Sequence, residues 1–519
     1  MKHQKIVILD FGSQYNQLIA RRVREKNVYS VLKPFNTPIE EIKALDPVGI
    51  ILSGGPNSVY DEDSPRPDLG IFDLGVPILG ICYGMQVITQ IFGGEVERSD
   101  KREYGFAEVE IKKDDEIFSN VAKNNLWKVW MSHSDKLQKI PEGFEKLGDT
   151  PNTPFAIFKN RDKNIYGVQF HPEVDHSVNG DIFIDNFIKK VCGCTGDWTP
   201  SNFIDEAVEK IRGEVGNKKV ILGFSGGVDS SVAALLLQKA IGENLIAIFV
   251  DNGLLRLNER EKVIKTFKEN FNINLVVSNA ESNFLEPLSG VKDPEAKRKI
   301  IGKVFIETFE NEIRLLKDSD DSIDYLAQGT IYPDIIESVS PKGGPSVTIK
   351  SHHNVGGLPD DLRLNIIEPL KELFKDEVRR VGLELGLPKH IINRHPFPGP
   401  GLGVRVLEEV TKEKCDILRR ADAIFIEEIE AAGVYDEIGQ AFAVLLPVKA
   451  VGVMGDQRTY ENVVALRAVR TIDFMTADWY KFEYELLSKV STRIINEVKG
   501  VNRVVYDISQ KPPGTIEWE

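Results

Sequence analysis

The chain has 519 residues, 42% of them hydrophobic and 28% charged. That composition can bury sizeable cores in three or four domains of roughly 150 residues and excludes global disorder. A formal net charge of −14 has the wrong sign for nonspecific binding to a phosphate backbone, so nucleic acid is not an expected partner. A local basic loop can still serve a small anion, because charges more than about 8 Å apart are screened at physiological ionic strength.

The first residues, Met1-Lys2-His3-Gln4-Lys5, lead into four apolar residues and then Asp10, which reads as a strand and not as a secretory signal. No later run approaches the ~20 apolar residues of a membrane span. The 4 cysteines make no disulfide framework in so long a chain, and Cys192-Gly193-Cys194 has the wrong spacing for zinc. A reducing cytoplasm is the expected compartment.

Residues 5–9 read as a strand and 15–25 as an amphipathic helix with Leu18, Ile19 and Val23 on one face. Strands at 28–32, 50–52 and 77–82 follow, an alternation that implies a parallel sheet covered by helices. A further β-containing stretch runs through Val129 and 166–170, then a helical pattern at 182–191. Gly, Cys, Thr, Trp and Pro cluster at 192–201 and mark a boundary. A second α/β pattern opens with a strand at 220–224, a helix at 231–239 and a strand at 245–250. A second boundary falls at His395-Pro396-Phe397-Pro398-Gly399-Pro400-Gly401, too rich in Pro and Gly for a regular element. Helices at 412–432 and 477–498 and strands at 443–453 and 503–508 complete the chain. The expected domains are 1–196, 197–394 and 395–519.

Gly80-Ile81-Cys82-Tyr83-Gly84 lies between a strand and a helical pattern at 85–92. It has the form of a nucleophile elbow with sulfur in place of oxygen. The helix N-terminus behind Cys82 favours thiolate over thiol. His171, in Gln169-Phe170-His171-Pro172-Glu173, is the candidate base, and Glu173 can orient its imidazole. Ser53-Gly54-Gly55-Pro56 supplies N–H donors for an oxyanion, with the Tyr83 N–H as partner. Taken alone a buried cysteine is a small hydrophobe; three strand-end sites together point to acyl transfer. With Met85 and Gln86 added, these residues resemble the class I glutamine amidotransferases. The resemblance implies a flavodoxin-like or Rossmann-like domain in which Cys82 attacks glutamine, Gly55, Tyr83 and Gln86 contact it, and ammonia is released.

Ser225-Gly226-Gly227-Val228-Asp229-Ser230-Ser231 joins a strand to a helix and makes an anion nest from backbone N–H groups and hydroxyls. It lacks the Gly-Lys-Ser/Thr ending of a Walker loop, so it suits a nucleotide whose pyrophosphate departs rather than a transferred γ-phosphate. Asp229 would repel phosphate and reads either as a Mg²⁺ ligand or as a helix cap. The motif is similar to the PP-loop of the ATP pyrophosphatases, which implies an adenine-nucleotide α-hydrolase-like domain binding ATP with Mg²⁺. Asp251-Asn252-Gly253 lies where that family lines its adenosine pocket, and Asn-Gly is also ordinary turn chemistry. Asp293-Pro294-Glu295-Ala296-Lys297-Arg298-Lys299 reads equally as a helix start and as a cationic lid; the family likeness favours the lid.

Three polar loops, 328–334, 350–357 and 394–401, and the end Lys511-Pro512-Pro513-Gly514-Thr515-Ile516-Glu517-Trp518-Glu519 extend the likeness over the rest of the chain. His352-His353 has no third ligand at useful spacing for a metal. Together these segments resemble the glutamine-hydrolysing GMP synthetase family from residue 5 to 519. The resemblance implies ATP, XMP and glutamine as substrates and a C-terminal α+β domain that forms a homodimer. It also implies an XMP site with Lys511, Ile516 and Glu517, and with Arg394 and Gln440. Val404-Arg405-Val406-Leu407-Glu408-Glu409 departs from the family pattern, which has Gly before Glu. A PP-loop enzyme acting on a nicotinate nucleotide or on tRNA, and a non-enzymatic nucleotide sensor, are the rival readings.

Overall fold

The computed structural model describes residues 3–121, 125–320, 322–337, 364–454, 456–471 and 474–519. The chain divides into two compact units, one holding Met1–Glu206 and the stretch from Ile331, the other Ala207–Thr330 and the stretch to Glu519.

The first unit is built on nine strands: β1 (Lys5–Asp10), β2 (Tyr29–Pro34), β3 (Pro47–Leu52), β4 (Ile78–Ile81), β5 (Glu95–Ile111), β6 (Leu126–Lys139), β7 (Phe144–Asp149), β8 (Ile157–Asn160) and β9 (Ile165–Val168), in the order β2-β1-β3-β4-β9-β8-β7-β5-β6. The pairings from β2 to β9 are parallel. Those from β9 through β8 and β7 to the β5–β6 hairpin are antiparallel. Strands β1, β3 and β4 are buried on both faces, which is why Ile, Val and Leu dominate them. Val7, Leu9, Ile50, Leu52 and Ile78 pack there with Ile88 and Met85 of the helix that follows β4. Such an order places ligands beyond the carboxyl ends of the strands.

The second unit contains two sheets. Strands β10 (Lys219–Gly223), β11 (Leu245–Asp251), β12 (Leu275–Asn279), β13 (Ile323–Ala327) and β14 (Asn365–Ile367) form the order β12-β11-β10-β13-β14, parallel throughout. The order reverses at β10, so the loop leaving that strand lies at the switch point. The other sheet joins β15 (Gln440–Met454), β16 (Gln457–Arg470), β17 (Asp478–Trp479) and β18 (Val501–Tyr506). Helices Lys412–Ala431 and Tyr484–Glu497 pack against it. One apolar cluster runs from Ile221, Ile248 and Phe309 to Phe425, Leu466 and Val501, so both sheets share a core.

Two elements differ from the sequence reading. The helix expected over 477–498 begins only at Tyr484. Before it Ala477 bridges to Lys511 and Trp479 pairs with Val469 of β16; the aromatic residues Trp479, Tyr480 and Phe482 suit a pleated edge better than a helix. The pattern at 182–191 is an α-helix over Gly180–Asn186 that widens into a π turn over Phe187–Val191. No helix among the described residues is long and apolar enough to cross a membrane.

Candidate active sites

In the first unit β4 runs directly into Cys82, which sits at φ 50°, ψ −105°. A non-glycine residue holds such a backbone only where its surroundings impose it. Cys82 N–H donates to the Val168 carbonyl at 2.7 Å and Gly84 N–H to the Ser53 carbonyl at 3.1 Å. Helix Tyr83–Ile91 starts at once. Gly84 has no room for a side chain, since a Cβ there would lie 2.4 Å from the Leu52 carbonyl oxygen.

His171 and Glu173 are buried, with His171 Nδ1 at 2.7 Å from Glu173 Oε1. A carboxylate at Nδ1 assigns the proton to that nitrogen and leaves Nε2 as the base. Burial pushes the imidazole pKa down, but the Glu173 charge and the Cys82 sulfur outweigh it, and the net direction is upward. The Tyr15 ring stands edge-on, 5.2 Å from the imidazole.

A cavity of about 410 Å³ opens over this group, lined by Gly55, Cys82, Tyr83, Gln86, Asp135 and His171 among others. The structure thus brings together all six residues expected there except Glu173, which stands behind His171. Asp135 is the addition. Its backbone carbonyl accepts from Gln86 Nε2 at 3.1 Å and its carboxylate from the Ser58 hydroxyl at 2.6 Å. Nothing local in Ser132-His133-Ser134-Asp135 sets it apart; only the antiparallel β5–β6 register turns it toward the cavity.

That register also pairs Glu103 with His133, at 3.3 Å. Glu103 accepts further bonds from Thr150 at 3.1 Å and Thr153 at 2.6 Å. Burial raises its pKa, and the bonds from His133, Thr153 and Thr150 overcome this and draw it from an ordinary 4.5 to about 2. A depressed carboxylate stabilises the fold above its unfolded pKa, and the contribution is lost as pH falls from 4.5 toward 2. Glu103→Gln is expected to cost about 2 kcal/mol at pH 7, a drop of roughly 4–8 °C in melting temperature. It should also flatten the decline of that temperature below pH 4.5, and an unchanged acid limb would contradict the assignment.

In the second unit Ser225–Ser231 follows β10, as a loop up to Gly227 and then the first turn of a helix. Gly226 has φ 71°, and a Cβ there would meet Val263 Cγ2 at 2.8 Å. Ser225 and Ser230 hydroxyls lie 3.0 Å apart; Gly227 N–H donates to Ser225 Oγ at 3.3 Å. Gly227 caps the helix that begins at Val228. Ser231 Oγ differs from the other two hydroxyls, being fully buried with no hydrogen-bond partner. Asp229 does not cap the helix; its two carboxylate oxygens accept from Lys375 Nζ at 2.6 and 2.5 Å. Asp251 and Asn252 side chains accept from the N–H groups of Gly253 and Leu254, at 3.2 and 2.9 Å, so this stretch is a tight turn at the strand end.

The segment expected as a lid is the start of the helix Pro294–Ser319, with Asp293 as its cap, accepting from Ala296 N–H at 2.8 Å. Lys297 is fully buried. Its Nζ donates to the Val406 carbonyl at 2.6 Å and to Glu519 at 2.7 Å, and Arg298 donates to a carbonyl oxygen of Glu519. Only Lys299, paired with Glu295 at 3.9 Å, remains well exposed. The segment is thus a capped helix start in which buried Lys297 and half-buried Arg298 both bond to Glu519.

Four of the five expected XMP residues lie on or against the C-terminal segment. Gln440 Nε2 donates to Glu517 at 2.7 Å. Ile516 packs with Phe442, Val444 and Ala465. Lys511 Nζ donates to the Phe474 carbonyl at 2.7 Å. Arg394 instead reaches Glu259 and, at 3.4 Å, the Gly226 carbonyl. Arg405, not among the expected residues, stands beside this set. Wholly buried, it donates to both Glu517 oxygens at 3.1 and 2.8 Å and stacks 4.1 Å from the Phe442 ring. His352 and His353, with the loop at 350–357, lie outside the described residues.

Comparison with known proteins agrees with this division of labour. Residues 7–191 match the family described as glutamine amidotransferase class-I, 200–297 the family described as NAD synthase, and 427–518 that described as GMP synthase C terminal domain. A curated GMP synthase [glutamine-hydrolyzing] from Brachyspira hyodysenteriae is 57% identical over 515 residues, 99% of each chain. The chain belongs to the glutamine-hydrolysing GMP synthases. The protein of that name from Actinobacillus succinogenes is 56% identical over 523 residues, 100% of this chain and 99% of its own. A solved glutamine amidotransferase structure from Thermotoga maritima is 21% identical with a TM-score of 0.28, over 36% of this chain and 84% of that one. Family membership fixes the fold as class I amidotransferase, PP-loop synthetase and C-terminal domain.

Proposed function

We propose that the chain converts XMP to GMP with ATP, using ammonia freed from glutamine. One observation carries the reading: a thiol–imidazole–carboxylate array in one unit and an anion nest without a Walker lysine in its loop in the other, on a single polypeptide. Residues 1–196 then act as glutaminase, 197–394 as synthetase, and 395–519 as the dimerising and XMP-binding part.

Cys82 Sγ gives its proton to His171 and attacks the side-chain amide carbon of glutamine. The oxyanion faces the N–H groups of Gly55 and Tyr83. His171 returns the proton to nitrogen, the C–N bond breaks and ammonia leaves; water then cleaves the thioester to glutamate. Asp135, at the cavity wall, suits the α-ammonium group of the substrate. Glu173 holds the imidazole and compensates its charge.

In the second unit the C2 oxygen of XMP attacks the α-phosphorus of ATP and pyrophosphate departs, leaving AMP on that oxygen as a better leaving group than the bare purine carbonyl oxygen. Ammonia adds at C2 and expels AMP. Protonated ammonia is no nucleophile, so the transfer excludes bulk water. The Ser225–Ser231 loop cradles phosphate. Among the described residues no group of three or more His, Cys, Asp or Glu side chains is placed to hold a metal ion, hence no all-protein metal cage there. Mg²⁺ does not require one, taking one or two carboxylates together with phosphates and water. The half-buried Asp229 carboxylate fits that need, and a bound Mg²⁺ would neutralise phosphate charge there. Gln440, Lys511, Ile516 and Glu517, with Arg394 nearer the loop, hold XMP. The exposed Val448, Val451, Val453 and Tyr460 on β15 and β16 support a homodimer through this part, and four unpaired cysteines support a cytoplasmic site.

Incubation with ATP, glutamine and XMP should release pyrophosphate only when XMP is present. Release driven by a nicotinate nucleotide instead would favour the activity suggested by the match of residues 200–297 to the NAD synthase family.

A further inference from the structure

Cys82 Sγ has three polar neighbours from two stretches of chain, β6 and the residues just past β9. The Ser132 carbonyl of β6 lies 3.8 Å away; it can accept the S–H proton and opposes negative charge on sulfur. His171 removes that proton. The third neighbour is Gln169, just past β9, whose Nε2 lies 3.6 Å from the sulfur. Gln169 is fully buried, its backbone N–H donating to the Ala156 carbonyl at 2.9 Å. Its Oε1 has no hydrogen-bond partner. A buried amide with one end unsatisfied is costly, and an aliphatic side chain would fill the space without that cost. Exchanging the two amide ends would set a carbonyl oxygen against the sulfur and remove the donor.

Resting on the reading of Cys82 as nucleophile, we propose that Gln169 is a further catalytic residue of the glutaminase reaction, its side-chain N–H donating to Cys82 Sγ whenever the sulfur carries negative charge. The His171 proton must travel, from sulfur to the leaving nitrogen. The Gln169 N–H does not: it stays on the amide, and no bond to it forms or breaks. A stationary donor holds the sulfur in one orientation before attack and again when the thioester is cleaved and the sulfur departs. The other charged or titratable groups facing the sulfur or its cavity are His171 with Glu173 behind it, and Tyr15, Tyr83, Tyr104, His133 and Asp135. Among the described residues, Gln169 is the one whose side-chain amide lies against the sulfur itself.

The test uses the full chain with Gln169→Leu, Gln169→Met and Cys82→Ala. Glutaminase kcat and KM, synthesis from ammonium, the thermal midpoint, and the rate of Cys82 alkylation by iodoacetamide at pH 7, read by peptide mass, are measured for each. Gln169→Leu should lower kcat and alkylation each by about tenfold, with KM within twofold and ammonium-dependent synthesis unchanged. Should the leucine variant unfold, Gln169→Met, close in size, uncharged and without a donor, carries the same readout. Wild-type kcat and alkylation in a folded variant would overturn the inference, as would a loss confined to KM. If Cys82→Ala keeps glutaminase activity, the nucleophile reading itself fails, whatever the Gln169 variants do.

Discussion

Cys82→Ala is expected to abolish glutamine-dependent amination while synthesis from added ammonium continues at the wild-type rate. The sulfur is the only atom at the head of the cavity able to form the thioester, and His171 and Glu173 have nothing to activate once it is gone. Removing one member of such a unit costs about as much as removing all of it, a loss of 10⁴-fold or more in order of magnitude. Alanine fills less space than cysteine at a position whose backbone is already held at φ 50° by its neighbours, so the fold should survive. Ammonium rescue is the discriminating measurement. If rescue fails in a folded variant, Cys82 also serves the synthetase reaction and the division into two chemistries is wrong. If glutamine still supports amination, the nucleophile is elsewhere.

The parts of these sites that could be read from sequence are those whose residues are neighbours in the chain. The elbow around Cys82, the His171–Glu173 pair and the Ser225–Ser231 loop each lie within a few residues of a strand end, where turn chemistry and apolar runs announce them. What could not be read depends on register or on contacts across long separations. Asp135 and Gln169 look like any polar residue until the sheet turns them toward the sulfur and its cavity. Arg405 meets Glu517 across 112 positions, and Lys297 meets Glu519 across 222. The segment 293–299 illustrates the difference: its cap and proline correctly mark a helix start, but composition alone could not show that Lys297 and Arg298 spend their charge on the end of the chain. The helix expected over 477–498 started late because the edge pairing of Trp479 with β16 outweighs local periodicity.

Asp229→Ala is the complementary experiment, expected to remove amination from glutamine and from ammonium alike, by about 10²-fold or more, while glutamine hydrolysis measured alone persists. Two roles for this carboxylate compete. In the first it only neutralises Lys375, with which it makes bonds of 2.6 and 2.5 Å. Both side chains are partly exposed, at 32% and 45%, and such a pair contributes about 0–1 kcal/mol; Asp229→Ala and Lys375→Met would then behave alike, with small effects on activity and melting temperature. In the second the carboxylate belongs to the nucleotide site. Lys375 then holds it until Mg²⁺ and ATP arrive and afterwards is free to meet phosphate. The two variants separate under this role: Asp229→Asn should need more Mg²⁺ for half-maximal pyrophosphate release, whereas Lys375→Met should raise the KM for ATP with a smaller Mg²⁺ effect. A full rate of XMP-dependent pyrophosphate release from Asp229→Ala would remove the residue from the chemistry and leave the phosphate cradle to the backbone N–H groups and the Ser225 and Ser230 hydroxyls.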